Sequence, residues 1–517
     1  MLIKKVVLND ISLNFSIESS ISQEAKDNCF TILIGKNASG KSEALKEICH
    51  LLIRAQIEDD FKSVYSDVLD HYLDRNYKNI LHRCEDKLSS SLELITDSET
   101  FVYKYIRTNE KREFINYLGK KEYIEEQVFR YDFNITDGKS NKVNPPQKNN
   151  IIAVSSGQFD KFPVLQSMGL ASATGIKYTY VGVQNDSLSS RYDSILSLKV
   201  GEIGHAILRF SVESKKITLN TLLNTLGFSN QVKLRYEINR HQLSRDFTKP
   251  QEISLNGAKY SSVGLGDNEK IQNAKENALL SDAITYFSER HVSPQDNIGD
   301  INLDLFGESD NIEATHLYYA AKANALDIKD VYFEREHSAY SLSLASSGQI
   351  NLLNIFFGIA SCIVDDSLIL IDEPEISLHA DWQMKFIPLL RETFSQYKGC
   401  HYIIATHAPM IISNIGSKHS SILNMTTGIA VSSKDFSNQS SDYLNSYLFE
   451  TPGPKNETMN REVVSLLSAI SKRKKLSELN RLKAERLIKW SNELIDGDPI
   501  KELVNILEEA LAVYSHD

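Results

Sequence analysis

The residues best suited to chemistry begin at Gly35-Lys36-Asn37-Ala38-Ser39-Gly40-Lys41-Ser42, preceded by Ile32-Leu33-Ile34 and followed by a helix-like run from Glu43. This is a G-x-x-x-x-G-K-S loop between a buried strand and a helix N-terminus, a setting in which successive backbone N–H groups wrap a polyphosphate. The two glycines permit the tight backbone path. Lys41 is placed to reach the β- and γ-phosphates, and Ser42 offers a hydroxyl to Mg²⁺. ATP and Mg²⁺ are therefore the expected ligands.

Other stretches carry the groups such a loop needs around it. Ser367-Leu368-Ile369-Leu370-Ile371-Asp372-Glu373 is an apolar run ending in paired carboxylates. It reads as a strand buried on both faces of a parallel sheet, whose ligands lie beyond the carboxyl ends of the strands. Asp372 is expected to bind Mg²⁺ there, and Glu373 to polarise an attacking water. His401 to Thr406 reads as another core strand, and His407 at its end is placed to hydrogen-bond a γ-phosphate oxygen. Ser346-Ser347-Gly348-Gln349 opens an apolar helix, where the serine serves either as a cap or as part of an anion site. Ile151 to Val154 reads as a strand leading into Ser155-Ser156-Gly157-Gln158, either a plain polar turn or a γ-phosphate sensor in which Gln158 also touches the metal.

The rest of the chain must position these groups. With 517 residues and 41% apolar content there is room for two or three domains and a substantial core. No stretch offers about 18 uncharged apolar residues and the N-terminus lacks a signal-peptide core, so a cytoplasmic location without membrane contact is expected. Five scattered cysteines without metal spacing argue against a zinc site or disulfide framework. The net charge of −11 argues against a generally basic nucleic-acid coat while leaving local patches open.

Alternation over residues 2–17 predicts two strands, with Phe15 either a core side chain or an adenine-stacking ring. Ser42 to about Lys78 reads as helix, 79–136 as an accessory sheet or insertion, and 137–150 as a loop. Residues 185–340 read as a largely helical lobe, with helices at Ser194–Phe210, Ile271–Glu289 and Ile312–Ala325. Beyond 420 come two short strands and then helices near 460–475, 476–493 and 498–514. Lys472, Arg473, Lys474, Lys475, Arg481, Lys483, Arg486 and Lys489 reverse the overall acidity, forming either a solvated face or a surface for phosphates or an acidic partner.

Together these motifs resemble the ATP-binding-cassette ATPase head, over residues 31–46, 151–162 and 345–415. The resemblance implies an α/β fold with a P-loop, a mostly parallel core sheet and an antiparallel accessory sheet. The head would occupy 1–184 and 341–435, with the lobe at 185–340 and a helical partner-binding tail at 436–517. It implies a Walker A loop at Gly35–Ser42, a Q-loop at Gln158, a signature at Ser346–Gln349, a Walker B strand ending at Asp372 with catalytic Glu373, a D-loop around Glu375–His379, and a switch histidine at His407. The signature departs from the family, with Ala345 where leucine is usual and Ser347 where glycine is usual. In that family two heads sandwich two ATP molecules, each held by one head's Walker motifs and the other's signature, so a homodimer or higher oligomer is implied.

The phrases DEPEISLHADWQ and THAPMIISN are similar to the SMC-, RecF- and OLD-like branch that acts on nucleic acid. The carboxylate pattern of the OLD nuclease domain is missing after His407, so no nuclease of the chain's own is expected. Length and helical tail look most like the ATPase subunit (PtuA) of Septu-type anti-phage systems, also found beside retrons. That resemblance implies a partner HNH endonuclease, and in retron systems a reverse transcriptase with its msDNA. Two other readings stay open, a RecF/SMC-like DNA-repair ATPase and an ATP-gated scaffold with negligible turnover.

Overall fold

The computed structural model of the chain describes residues 2–8, 11–15, 27–36, 39–57, 87–96, 99–111, 114–115, 121–122, 127–137, 141, 150–157, 162–163, 177–182, 194–213, 219–239, 253–255, 258–260, 267–290, 297–306, 312–416, 419–473 and 477–514. Asn37, Ala38, Gln158, Lys474 and Lys475 lie outside these residues.

β1 (Leu2–Leu8) and β2 (Ile11–Asn14) form the hairpin expected from their alternation, and Phe15 is buried in the core. β3 (Cys29–Ile34) enters the phosphate loop, which turns into α1 (Lys41–Ile57). β4 (Lys87–Thr96) and β5 (Glu99–Lys111) follow, then the small hairpin β6 (Phe114–Ile115) and β7 (Lys121–Glu122), then β8 (Gln127–Asp137). The order β2-β1-β4-β5-β8, antiparallel throughout, is the expected accessory sheet.

β9 (Ile151–Ser155) and β10 (Tyr178–Val181) return to the centre. The lobe then runs through α2 (Ile195–Val212), α3 (Asn220–Leu226), β11 (Gln231–Ile238), the hairpin β12 (Ile253–Leu255) and β13 (Ala258–Tyr260), α4 (Asp267–Arg290), β14 (Ile298–Asp304), α5 (Ile312–Lys322), β15 (Leu326–Arg335) and β16 (Ser338–Ser341). It is mixed rather than largely helical, because β14-β11-β15-β16 form a four-stranded antiparallel sheet. Val232, Leu234, Tyr236 and Ile238 point from β11 into the core while the residues between them do not, a period of two that decides for strand.

The head resumes with α6 (Ser347–Cys362), β17 (Leu368–Asp372), α7 (Ala380–Thr393), β18 (His401–Ala405), α8 (Pro409–Ser413), β19 (Ser420–Asn424) and β20 (Ile429–Ser432). The tail comprises α9 (Ser441–Tyr447), α10 (Glu457–Arg473), α11 (Glu478–Ser491) and α12 (Pro499–Tyr514). Its last three helices close on their own core, which includes Met459, Val463, Leu487, Trp490 and Leu507.

The central sheet has the order β10-β9-β17-β18-β3-β19-β20, parallel except for β20. Alternate residues serve opposite faces. Leu33, Ala153, Leu370 and Ile403 pack with α1 and the accessory sheet, whereas Ile32, Val154, Ile371 and Ile404 pack with α6, α7 and the lobe. Two-sided burial explains why these strands are near-continuous apolar runs.

His401 ties the two sheets together. Its Nδ1 accepts the Ile3 N–H at 3.2 Å, which leaves the proton on Nε2, 2.9 Å from Thr31 Oγ1. Complete burial pushes its pKa down to about 3. A histidine depressed in the folded state takes up its proton first on unfolding, so its stabilisation is full above about pH 6.5 and is lost as pH falls toward 3. Thermal unfolding of wild type and His401→Gln between pH 7 and 5 should give a steeper loss on acidification for wild type, approaching about 1 kcal/mol per pH unit. Parallel slopes would refute this role.

Candidate nucleotide-binding site

Register brings the chemistry to one edge. Asp372 pairs with Ala405 and Ala405 with Leu33, so the chain leaves β17, β18 and β3 at the same level. Ser155 pairs with Asp372 from β9, and the Ser156 N–H reaches the Asp372 carbonyl at 3.3 Å. The phosphate loop, the paired carboxylates and His407 therefore meet, as the sequence predicts.

Lys41 is almost wholly buried at the start of α1, and its ammonium donates to the Gly35 carbonyl at 2.9 Å and lies 3.3 Å from His407 Nδ1. Gly40 at the loop exit has φ 87°, a left-handed conformation open to glycine at little cost. Ser42 Oγ donates to Asp372 Oδ1 at 3.1 Å. This hydroxyl and carboxylate side by side are the hard oxygen donors that fit Mg²⁺, which takes few protein ligands and completes its shell with phosphates and water. Glu373 sits at φ 48°, a conformation unfavourable for a side-chain-bearing residue, held by its N–H bond to the Ala405 carbonyl. Its Oε1 lies 3.7 Å from His407 Nε2, so His407 stands between Lys41 and Glu373.

Burial lowers the Lys41 pKa, opposed by the negative charges of Glu373, Asp372 and Glu375. Burial, and then the Lys41 cation, lower that of His407 against the pull of Glu373. A depressed histidine is neutral at pH 7.

The motif at Ser346–Gln349 stands elsewhere. The helix it opens, α6, packs on the face of the central sheet opposite α1. Ser346 caps α6 and shares a capping box with Gln349, each side chain accepting the other's backbone N–H, while Ser346 and Ser347 remain exposed beside Leu344, itself 76% exposed. Asp330 of β15 accepts from Ser341 Oγ and, at 3.1 Å, from Ser343 Oγ, so the lobe sheet holds the turn that leads to this motif.

A family model for the AAA ATPase domain matches residues 7–412. The chain belongs to the AAA ATPase domain family. No curated protein matches it. Among solved structures it is similar to an SMC head domain with an extended coiled coil, bound to the C-terminal domain of ScpA, from Pyrococcus furiosus, at 10% identity and a TM-score of 0.32 over 84% of this chain and 97% of that one. An SMC head domain from Thermotoga maritima gives 10% identity and a TM-score of 0.29 over 83% and 98%. These two likenesses are too loose to carry a functional argument. Among the described residues of this AAA ATPase domain, no helix is long and apolar enough to cross a membrane.

Two roles in the site escape the sequence reading. Glu375, placed there only at the start of the D-loop, accepts the His407 N–H at 2.6 Å, and Asn351 of α6, not singled out there, donates to the carbonyls of Pro374 at 3.2 Å and Ile376 at 2.9 Å. The signal available for Asn351 was only that a polar residue stands in an otherwise apolar helix.

Gly348 packs so closely on the loop after β17 that an added Cβ would lie 2.6 Å from the Ser377 carbonyl oxygen, a backbone atom. Gly348→Ala should lower unfolding stability by about 1–3 kcal/mol in denaturant titrations, whereas Ser347→Ala, at an exposed neighbour, should stay within about 0.5 kcal/mol. Equal values for the two variants would show that the loop yields freely.

Proposed function

We propose that the chain is the ATP-hydrolysing subunit of an anti-phage defence complex, whose ABC-type heads dimerise around ATP and control a partner HNH-type nuclease. The observation that carries the ATPase part is the convergence of Lys41, Ser42, Asp372, Glu373 and His407 at one sheet edge. The loop N–H groups and the Lys41 ammonium bind and orient the polyphosphate, and Ser42 and Asp372 hold the metal. Mg²⁺, which Ser42 and Asp372 would hold, would supply charge neutralisation to the phosphates. Glu373 orients and polarises the water, His407 contacts the γ-phosphate, and the chemistry is cleavage of the β–γ bond.

Location of Ser346–Gln349 on the far face of the sheet from α1 supports a composite site, since Ser346 and Ser347 are exposed to a second copy and the motif does not close over its own phosphate loop. Gln158 is retained in this proposal as a contact to γ-phosphate and metal. The defence role and the nuclease partner rest on the motif resemblance and on the tail, a separately cored bundle available as a docking element. A second reading, a DNA-repair ATPase, is favoured by the exposed Arg481, Lys483, Arg486 and Lys489 on α11.

Lys41→Ala should abolish ATP binding in calorimetry, and Glu373→Gln should keep ATP bound while reducing turnover by about 100-fold or more. Unchanged ATP affinity in Lys41→Ala would remove the site assignment. Wild-type turnover no higher than that of Glu373→Gln would favour the gated scaffold.

Dimerisation around ATP has its own test. Lys41→Ala and Ser346→Arg should each be inactive alone, yet an equal mixture should regain roughly a quarter of wild-type activity, because half the dimers are mixed and each mixed dimer has one intact site. No recovery on mixing would argue against composite sites. Salt-sensitive duplex binding by the isolated chain, lost on reversing Arg481 and Lys483, would move the reading to DNA repair. Co-purification with an HNH protein encoded alongside, lost when residues 456–517 are removed, would support the defence complex.

A further inference from the structure

We propose that Glu375 is a positioning residue that fixes His407 through its backbone, and that Asn351 of α6 holds Glu375 in place. The inference rests on the reading of His407 as a γ-phosphate contact.

Glu375 points back from the loop after β17 beneath the chain that leaves β18. Its Oε1 takes the His407 N–H at 2.6 Å. The neighbouring Thr406 Oγ1 accepts the Ala408 N–H at 3.0 Å. Backbone atoms on both sides of His407 are thus tied to these two side chains. The imidazole is left between Lys41 and Glu373 with its backbone fixed.

The carboxylate itself is held from the other side. Asn351 is 1% exposed, and its amide bridges the two carbonyls that flank Glu375, those of Pro374 and Ile376. Nothing in packing requires a carboxylate at this point. Glu375 Oε2 is buried with no hydrogen-bond partner, a condition that an apolar side chain of similar volume would relieve. An apolar side chain would leave the His407 N–H without this acceptor, so the carboxylate serves the histidine's backbone. The path Asn351, Glu375, His407 also joins α6, whose first turn carries the exposed Ser346 and Ser347, to the nucleotide site.

The test uses the full chain. Glu375→Leu keeps the volume and drops the acceptor, whereas Glu375→Gln keeps an acceptor oxygen. Glu375→Leu should lower kcat about tenfold with KM for ATP and ATP affinity within about twofold, and Glu375→Gln should recover most of it. Hydrogen exchange of the backbone amide at His407 should accelerate in Glu375→Leu and return toward wild type in Glu375→Gln. Asn351→Asp, which turns an oxygen toward the two carbonyls, should reproduce the loss in kcat.

If Glu375→Leu does not fold, Glu375→Ala takes its place in the same comparison. Unchanged kcat and unchanged exchange at His407 would overturn the proposal, as would parallel losses of kcat and ATP affinity that Glu375→Gln fails to rescue. Failure of the underlying reading looks different. It shows as undiminished ATP binding in Lys41→Ala or absent wild-type turnover, and the exchange measurement at His407 remains decisive in either case.

Discussion

Parallel pairing of β17, β18 and β3 aligns Asp372 with Ala405 and Ala405 with Leu33, and the nucleotide site depends on that alignment. A slip of one residue in any strand would turn its apolar side chains to the wrong face and carry its terminal functional group about 3.3 Å along the sheet. The Ser42–Asp372 hydrogen bond at 3.1 Å and the Lys41–His407 contact at 3.3 Å could not both survive such a displacement. What pins the register is burial on both faces. Each isoleucine or leucine in these strands contributes on the order of 1.5–3 kcal/mol by leaving water, so the hydrophobic pattern enforces the catalytic geometry without contacting substrate.

The same two-sided sheet separates functions. One face carries α1 under the accessory sheet, and the other carries α6 and α7 beneath the lobe. His401 crosses between layers, accepting from Ile3 of β1 and reaching Thr31 of β3, so the accessory sheet is anchored to the strand that feeds the phosphate loop. On the lobe side, Asp330 holds the turn before Ser346. A movement of the lobe sheet would therefore reach the turn before Ser346 through these hydrogen bonds.

Motif spacing made the site legible because the chemistry restricts both residue type and place. Only a few sequences let a loop wrap phosphates, and a carboxylate pair at the end of an apolar strand has one natural position in a parallel sheet. Periodicity gave the strands of residues 2–17 and the tail helices, whereas residues 79–136 read only as an accessory sheet or an insertion. The lobe was misread because its helices at 195–212 and 267–290 are long, whereas β16 spans four residues and the alternation of β15 breaks at a bulge at Lys329. The contacts of Glu375 and Asn351 were invisible for another reason. Their roles are to bond backbone atoms, His407 N–H and the carbonyls of Pro374 and Ile376, and a backbone partner leaves no residue-type signature in the sequence.

Electrostatics gives His407 a direction of response. As it stands, Lys41 donates toward Nδ1, which leaves the imidazole proton on Nε2, facing Glu373 at 3.7 Å. The cation and burial together keep the ring neutral. A triphosphate arriving at Lys41 brings several negative charges to the same few ångströms and takes up the ammonium's hydrogen bonds. Together with its Mg²⁺, the nucleotide would offset part of the lowering that the Lys41 cation imposes on His407, so in the proposed role the ring would hold a proton more readily as a donor to the γ-phosphate. Such a response requires the ring to stay in place while its partners change, and that makes the anchoring of its backbone matter more than its side-chain contacts.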